Sequence, residues 1–80
     1  MMIQGREYSI IMGTDLERDG MFLELYEGTQ TNGAPQAEYF YSDADGAFSL
    51  TVYDDAVPQL ALEWLRHEGA RRLPASDSAA

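Results

Sequence analysis

Apolar and polar residues alternate with a period of two in four stretches of this chain, and the period lengthens to about 3.6 only in the last third. In Glu7 to Gly13, Tyr8, Ile10 and Met12 share one face, while Ile11 makes the other face partly apolar. Met21 to Glu27 sets Met21, Leu23 and Leu25 against Phe22, Glu24 and Tyr26. Ala37 to Ser42 and Ala47 to Tyr53 complete the set. Between the stretches lie the evenly spaced dipeptides Asp19-Gly20, Asn32-Gly33 and Asp45-Gly46. Glycine adopts positive φ without a Cβ clash and Asn or Asp tolerates it, so each dipeptide signals a hairpin. The pattern predicts a four-stranded antiparallel meander.

The third hairpin decides which side chains share a face. If Asp45-Gly46 forms a two-residue loop, Tyr41 pairs with Leu50, Phe40 with Thr51, Tyr39 with Val52 and Glu38 with Tyr53. Tyr39, Tyr41, Phe48, Leu50 and Val52 then line the core face. A four-residue loop preserves that grouping, whereas a three-residue loop with a bulge would exchange Phe40 for the two tyrosines. The stretch Gly28 to Gln36 is polar, holds a Pro, and reads as the longest and most mobile loop.

Asp54 and Asp55 offer a capping carboxylate, and Pro58 is acceptable in a first turn, so a helix is expected to start there. Val57, Leu60, Ala61, Trp64 and Leu65 form its apolar stripe, with Trp64 at the centre and Leu62 at the margin. Arg71 and Arg72 suit the last turn, and Pro74 stops the helix. The expected fold is α+β, ββββα, with the helix on one sheet face: a single domain over 1–73 and a disordered tail over 74–80.

One helix covers one sheet face. The other, by parity, presents Phe22, Glu24, Tyr26, Glu38, Phe40, Ser42, Ser49, Thr51 and Tyr53. Aromatic rings supply contact area at low entropic cost, so Phe22, Glu24, Tyr26, Glu38, Phe40 and Tyr53 are the expected interaction face, for another protein or for a second copy in a homodimer. Eighty residues support only a small core, which strengthens the case for a partner.

Charge narrows the choice of partner. Fourteen acidic residues against five basic ones, all Arg, give a formal net charge of -9. Phosphate backbones and anionic membranes repel such a chain. Lys is absent while Ala and Arg are plentiful, a bias that fits a GC-rich bacterial genome. No Cys is present, which excludes disulfides and thiol chemistry and suits a reducing cytoplasm. The N-terminal MMIQGREYSI has no basic region leading into a long apolar stretch, and no apolar run approaches the roughly 20 residues of a bilayer span. The expectation is a soluble cytoplasmic protein.

Residues that could carry chemistry are few. His67 is the only His and lies four residues after Glu63 on the polar side of the expected helix, the spacing of a surface pair. No nucleophile and orienting acid accompany it. Asp15, Glu17, Asp19 and Gly20 echo the start of a calcium loop, but Tyr26 stands where the bidentate Glu belongs and strands flank the segment. No glycine-rich phosphate loop is present. Neither an enzyme nor a bound cofactor or metal is expected.

Four strands followed by a helix is similar in element order to the Whirly and Pur families, dimeric proteins that bind single-stranded nucleic acid. Those sheets bind with aromatics among basic residues, whereas the corresponding face here carries Glu24 and Glu38. The sequence therefore favours a small acidic protein-interaction module of adaptor, inhibitor or immunity type. Single-strand nucleic-acid binding is the alternative, and an enzyme or metal-dependent module ranks third.

Overall fold

In the computed structural model, which describes residues 1–28 and 33–73, five strands and one helix follow one another along the chain. The strands are β1 (Met2–Ile3), β2 (Arg6–Asp15), β3 (Gly20–Glu27), β4 (Ala37–Ser42) and β5 (Phe48–Val52), and the helix is α1 (Gln59–Arg72). All neighbours pair antiparallel in the order β1-β2-β3-β4-β5, so the sheet is a pure meander. The α+β class and C-terminal helix are as the sequence predicts. The count of four strands is corrected to five.

The extra strand is a hairpin made by Gln4 and Gly5, whose φ values of 52° and 81° are those of a two-residue turn with both central residues left-handed. It pairs Ile3 with Arg6 and places Ile3 in the core beside Tyr8. Of the three predicted turn dipeptides, Asp19-Gly20 and Asp45-Gly46 turn the chain as expected, with Asp19 and Gly46 at positive φ. Asn32 lies outside the described residues, as does the tail from Pro74 onward.

The third hairpin takes a wider loop than the two-residue reading. Ser42 donates to the Ala47 carbonyl and Gly46 to that of Ser42, so the loop spans 43–46. The register becomes Tyr39 with Leu50, Tyr41 with Phe48, Phe40 with Ser49, Glu38 with Thr51 and Ala37 with Val52. Because the slip is an even number of residues, every side chain keeps its predicted face.

The helix begins later than the sequence suggested. Asp54 caps a separate turn, its Oδ1 accepting from the Ala56 amide at 2.9 Å. Pro58 is extended (ψ 150°) and its carbonyl receives the first helical bonds from Ala61 and Leu62. A residue before Pro is pushed out of the α region, which delays the start past Val57. Arg71 and Arg72 do occupy the last turn. Both bond the buried Glu68 carboxylate, at 2.6 and 2.9 Å.

The expected stripe is displaced around the helix axis. Ala61, Leu65, Glu68 and Gly69 are its buried residues, Trp64 is only half-buried, and Leu60 is exposed. Small residues at the centre let the helix backbone approach the sheet closely: a Cβ on Gly69 would run into the Tyr39 ring. The core so formed contains Ile3, Tyr8, Leu23, Leu25, Ala37, Val57, Ala61, Leu65 and Leu73. The helix lies over β3 and β4. The helix-side margins of the sheet are consequently left uncovered, with Met12 on β2 and Phe48 and Val52 on β5 all exposed.

Candidate interaction surfaces

The far face of the sheet carries the residues singled out from the sequence, and the chain itself covers most of them. Asp15 ends β2, and its Oδ1 accepts from the amides of Glu17 and Arg18, both at 3.1 Å. That turn sends the Arg18 side chain back across the sheet. Its Nε donates to Asp15 Oδ2 at 2.6 Å, and its two terminal nitrogens grip the Glu38 carboxylate at 3.0 and 2.7 Å. Midway, the guanidinium lies over the Phe40 ring, 4.0 Å from its centroid.

The arrangement solves an electrostatic problem posed by the register. Glu24 and Glu38 stand directly opposite each other on β3 and β4, an unfavourable like-charge pair. Arg18 neutralises Glu38, and the Tyr26 hydroxyl donates to Glu24 Oε1 at 2.8 Å. Hydrogen bonding from Arg18 holds the Asp15 carboxyl below its usual range, while Glu38 and Asp15 raise the pKa of Arg18 further. Burial, reinforced by Glu24, pushes the Tyr26 phenol up.

Two rings on this face fill space left by glycines. A Cβ on Gly13 would come within 2.5 Å of the Phe22 ring, its cross-strand partner, and one on Gly20 within 2.5 Å of the Phe40 ring. Phe40 is 9%, Tyr26 8% and Glu38 5% exposed, and Phe22 and Glu24 are half-buried. Among the six predicted interface residues only Tyr53 stands clear, at 57%. The sheet brings Phe22, Glu24, Tyr26, Glu38 and Phe40 together as expected but buries or half-buries them: Arg18 folds over Glu38 and Phe40, the Phe22 ring lies against Gly13, and Tyr26 and Glu24 bond each other. Sequence reading missed Arg18 as the organiser. Its only signal was a single cation in an acidic turn, facing a pattern that put two glutamates on one face.

The helix-side margin at β5 is the contrasting surface. Phe48 is 40% and Val52 39% exposed, and Leu50 between them is half-buried. Phe48 stacks on Tyr39 with centroids 5.2 Å apart and leans on Tyr41 at 5.0 Å, so its ring is held in place while one side meets solvent. Asp43 and Asp45 precede the strand and Asp54 and Asp55 follow it, all exposed.

Other candidates are weaker. A cleft of about 340 Å³ lies between the β1–β2 hairpin and the segment before the helix, lined by Gln4, Arg6, Tyr8, Ala56 and Pro58. Its Arg6 is turned toward Glu27, 3.3 Å away. In the predicted calcium-like loop, Asp15 is engaged by Arg18, and no group of three or more metal-ligating side chains occurs among the described residues. His67 is exposed on the helix. Among the described residues no helix is long and apolar enough to cross a membrane. No protein-family model, curated protein or solved structure matches the chain.

Proposed function

We propose that this chain is a small acidic bacterial protein-interaction module, acting as an adaptor, inhibitor or immunity-type protein. The observation that supports this reading is the apolar margin of Phe48 and Val52, exposed on a chain of net charge -9 and framed by four aspartates. An exposed, ordered aromatic beside aliphatic side chains is the kind of patch that proteins use for contact. Self-association belongs to the same reading, since a small domain gains stability by covering such a patch with a second copy. Single-strand nucleic-acid binding has less support, because Arg18, the cation beside the far-face aromatics, is engaged by two carboxylates.

The experiment is affinity capture from a native lysate at low and high salt, followed by titration of the purified captured protein against this one. A saturable one-to-one complex that weakens with salt supports the reading. Sedimentation equilibrium over tens of micromolar gives the self-association arm. Monomers throughout, with no captured protein forming a saturable complex, would refute the proposal.

A further inference from the structure

β5 is an outer strand of the sheet, and the ladder to β4 determines which of its backbone groups face outward. Ala47 accepts from Ser42, and Tyr53 donates to Gln36, so the odd-numbered residues turn their backbone groups toward β4. By the alternation of an antiparallel pair, the N–H and C=O groups of Phe48, Leu50 and Val52 point away from the sheet. Natural sheets protect such edges with Lys, Pro, inward charges or a bulge. Ala47 to Tyr53 contains no charged residue and no Pro, and it pairs with β4 without a bulge. The side chains of the three outward residues also line the helix-side margin, so backbone and apolar groups are available along one line.

The opposite margin of the sheet, on β2, mixes both signs of charge. Its ends carry Arg6 and Arg18, each paired with carboxylates, and β1 covers its start. The ends of β5 carry Asp43 and Asp45 on one side and Asp54 and Asp55 on the other, and none of the four is ion-paired among the described residues. A two-fold pairing of β5 with itself centred on Leu50 would set Asp45 against Asp55 of the second copy at both ends, which opposes that occupant.

We propose that β5 receives an extended segment of a basic partner protein as a sixth strand. Its backbone bonds to Phe48, Leu50 and Val52, its apolar side chains lie beside Phe48 and Val52, and Lys or Arg at its two ends face the four aspartates. This inference rests on the interaction-module reading and names the edge, the binding mode and the chemistry of the partner.

The test uses the full chain and a short peptide of alternating Thr and Val with two Arg at each end. Two controls accompany it: the same core flanked by Glu, and the Arg-flanked peptide N-methylated at alternate backbone nitrogens on its pairing edge. The Arg-flanked peptide should bind saturably at low salt and slow amide exchange at Phe48, Leu50 and Val52. Both controls should bind at least about tenfold more weakly, one lacking the charge match and the other the backbone bonds. Val52→Pro removes one outward N–H without cutting the ladder to β4, and it should weaken the peptide similarly while circular dichroism stays native. Equal binding of the methylated peptide, protection at Ile10 and Met12 instead, or no saturable binding of any peptide would overturn the proposal. So would a concentration-dependent dimer that protects the β5 amides, since the occupant would then be a second copy. A lysate partner that binds Val52→Pro as well as the parent chain defeats the edge proposal and leaves the interaction-module reading standing. Absence of any stoichiometric partner for either chain defeats both.

Discussion

Removing Arg18 isolates the electrostatic device on the far face. In Arg18→Ala the Glu38 carboxylate, 5% exposed, loses both of its charge-assisted hydrogen bonds and stays opposite Glu24. Breaking a buried ion pair by deleting one partner costs roughly 3 to 5 kcal/mol. Here the Arg18 side chain is itself 44% exposed, and its loss opens Glu38 to water, so the expected cost falls to about 2 to 3 kcal/mol. For a domain of this size that lowers Tm by roughly 10 to 20 °C. The assay is urea unfolding at low temperature, monitored by circular dichroism, of the parent, Arg18→Ala, Glu38→Gln and the double variant. Neutralising Glu38 removes the stranded charge, so the double variant should be clearly more stable than Arg18→Ala alone. A cost below about 0.5 kcal/mol for Arg18→Ala, or costs that simply add in the double variant, would refute the account and make the pair an ordinary surface contact.

Phe40→Arg, which an exposed Phe40 would tolerate, should instead cost about 3 kcal/mol or more, because the ring is buried under Arg18 and against Gly20; the same urea titration measures it. Gly20→Ala drives a Cβ into the Tyr41 carbonyl, which cannot yield, whereas Gly69→Ala meets only the Tyr39 ring. Each should cost roughly 1 to 3 kcal/mol, and Tyr39→Val should offset part of the Gly69→Ala loss but none of the Gly20→Ala loss in double-mutant cycles. Asp15 and Glu68 have pKa values held below their ordinary 3.8 and 4.5, by hydrogen bonds from Arg18 and Arg71 respectively. Their contribution is complete above those values and disappears as pH falls through the lowered ones, so stability should decline in the acid limb below about pH 4.5, and Asp15→Asn with Glu68→Gln should flatten that limb. Tyr26 is raised above its ordinary 10, so its contribution is present below pH 10 and is lost as pH rises through the folded value; Tyr26→Phe should remove that alkaline decline.

Local signals decide most of this fold. Period-two alternation and Xaa-Gly turns are set by neighbours a few residues apart, so β2, β3, β4 and β5 and two of their turns were legible, and an even slip in the last hairpin left each side chain on its predicted face. The same reasoning could have found Gln4-Gly5, another Xaa-Gly dipeptide. The two-residue strand before it shows no alternation of its own and exists because β2 is there to pair with. Helix position was less legible, since a helical stripe tells which residues share a side but not how far the helix rolls. That roll depends on how closely Ala61 and Gly69 let it approach Tyr39, and it moved Trp64 and Leu60 outward.

The candidate site was least legible. Parity placed Phe22, Glu24, Tyr26, Glu38 and Phe40 on one face, but whether that face is open depends on a turn residue twenty positions before Glu38 reaching back across it. The outward backbone groups of β5 become available for the same kind of reason: strand order is a property of the assembled sheet. Sequence neighbours determine what each segment can form, and contacts between distant segments determine which of the resulting surfaces still face water.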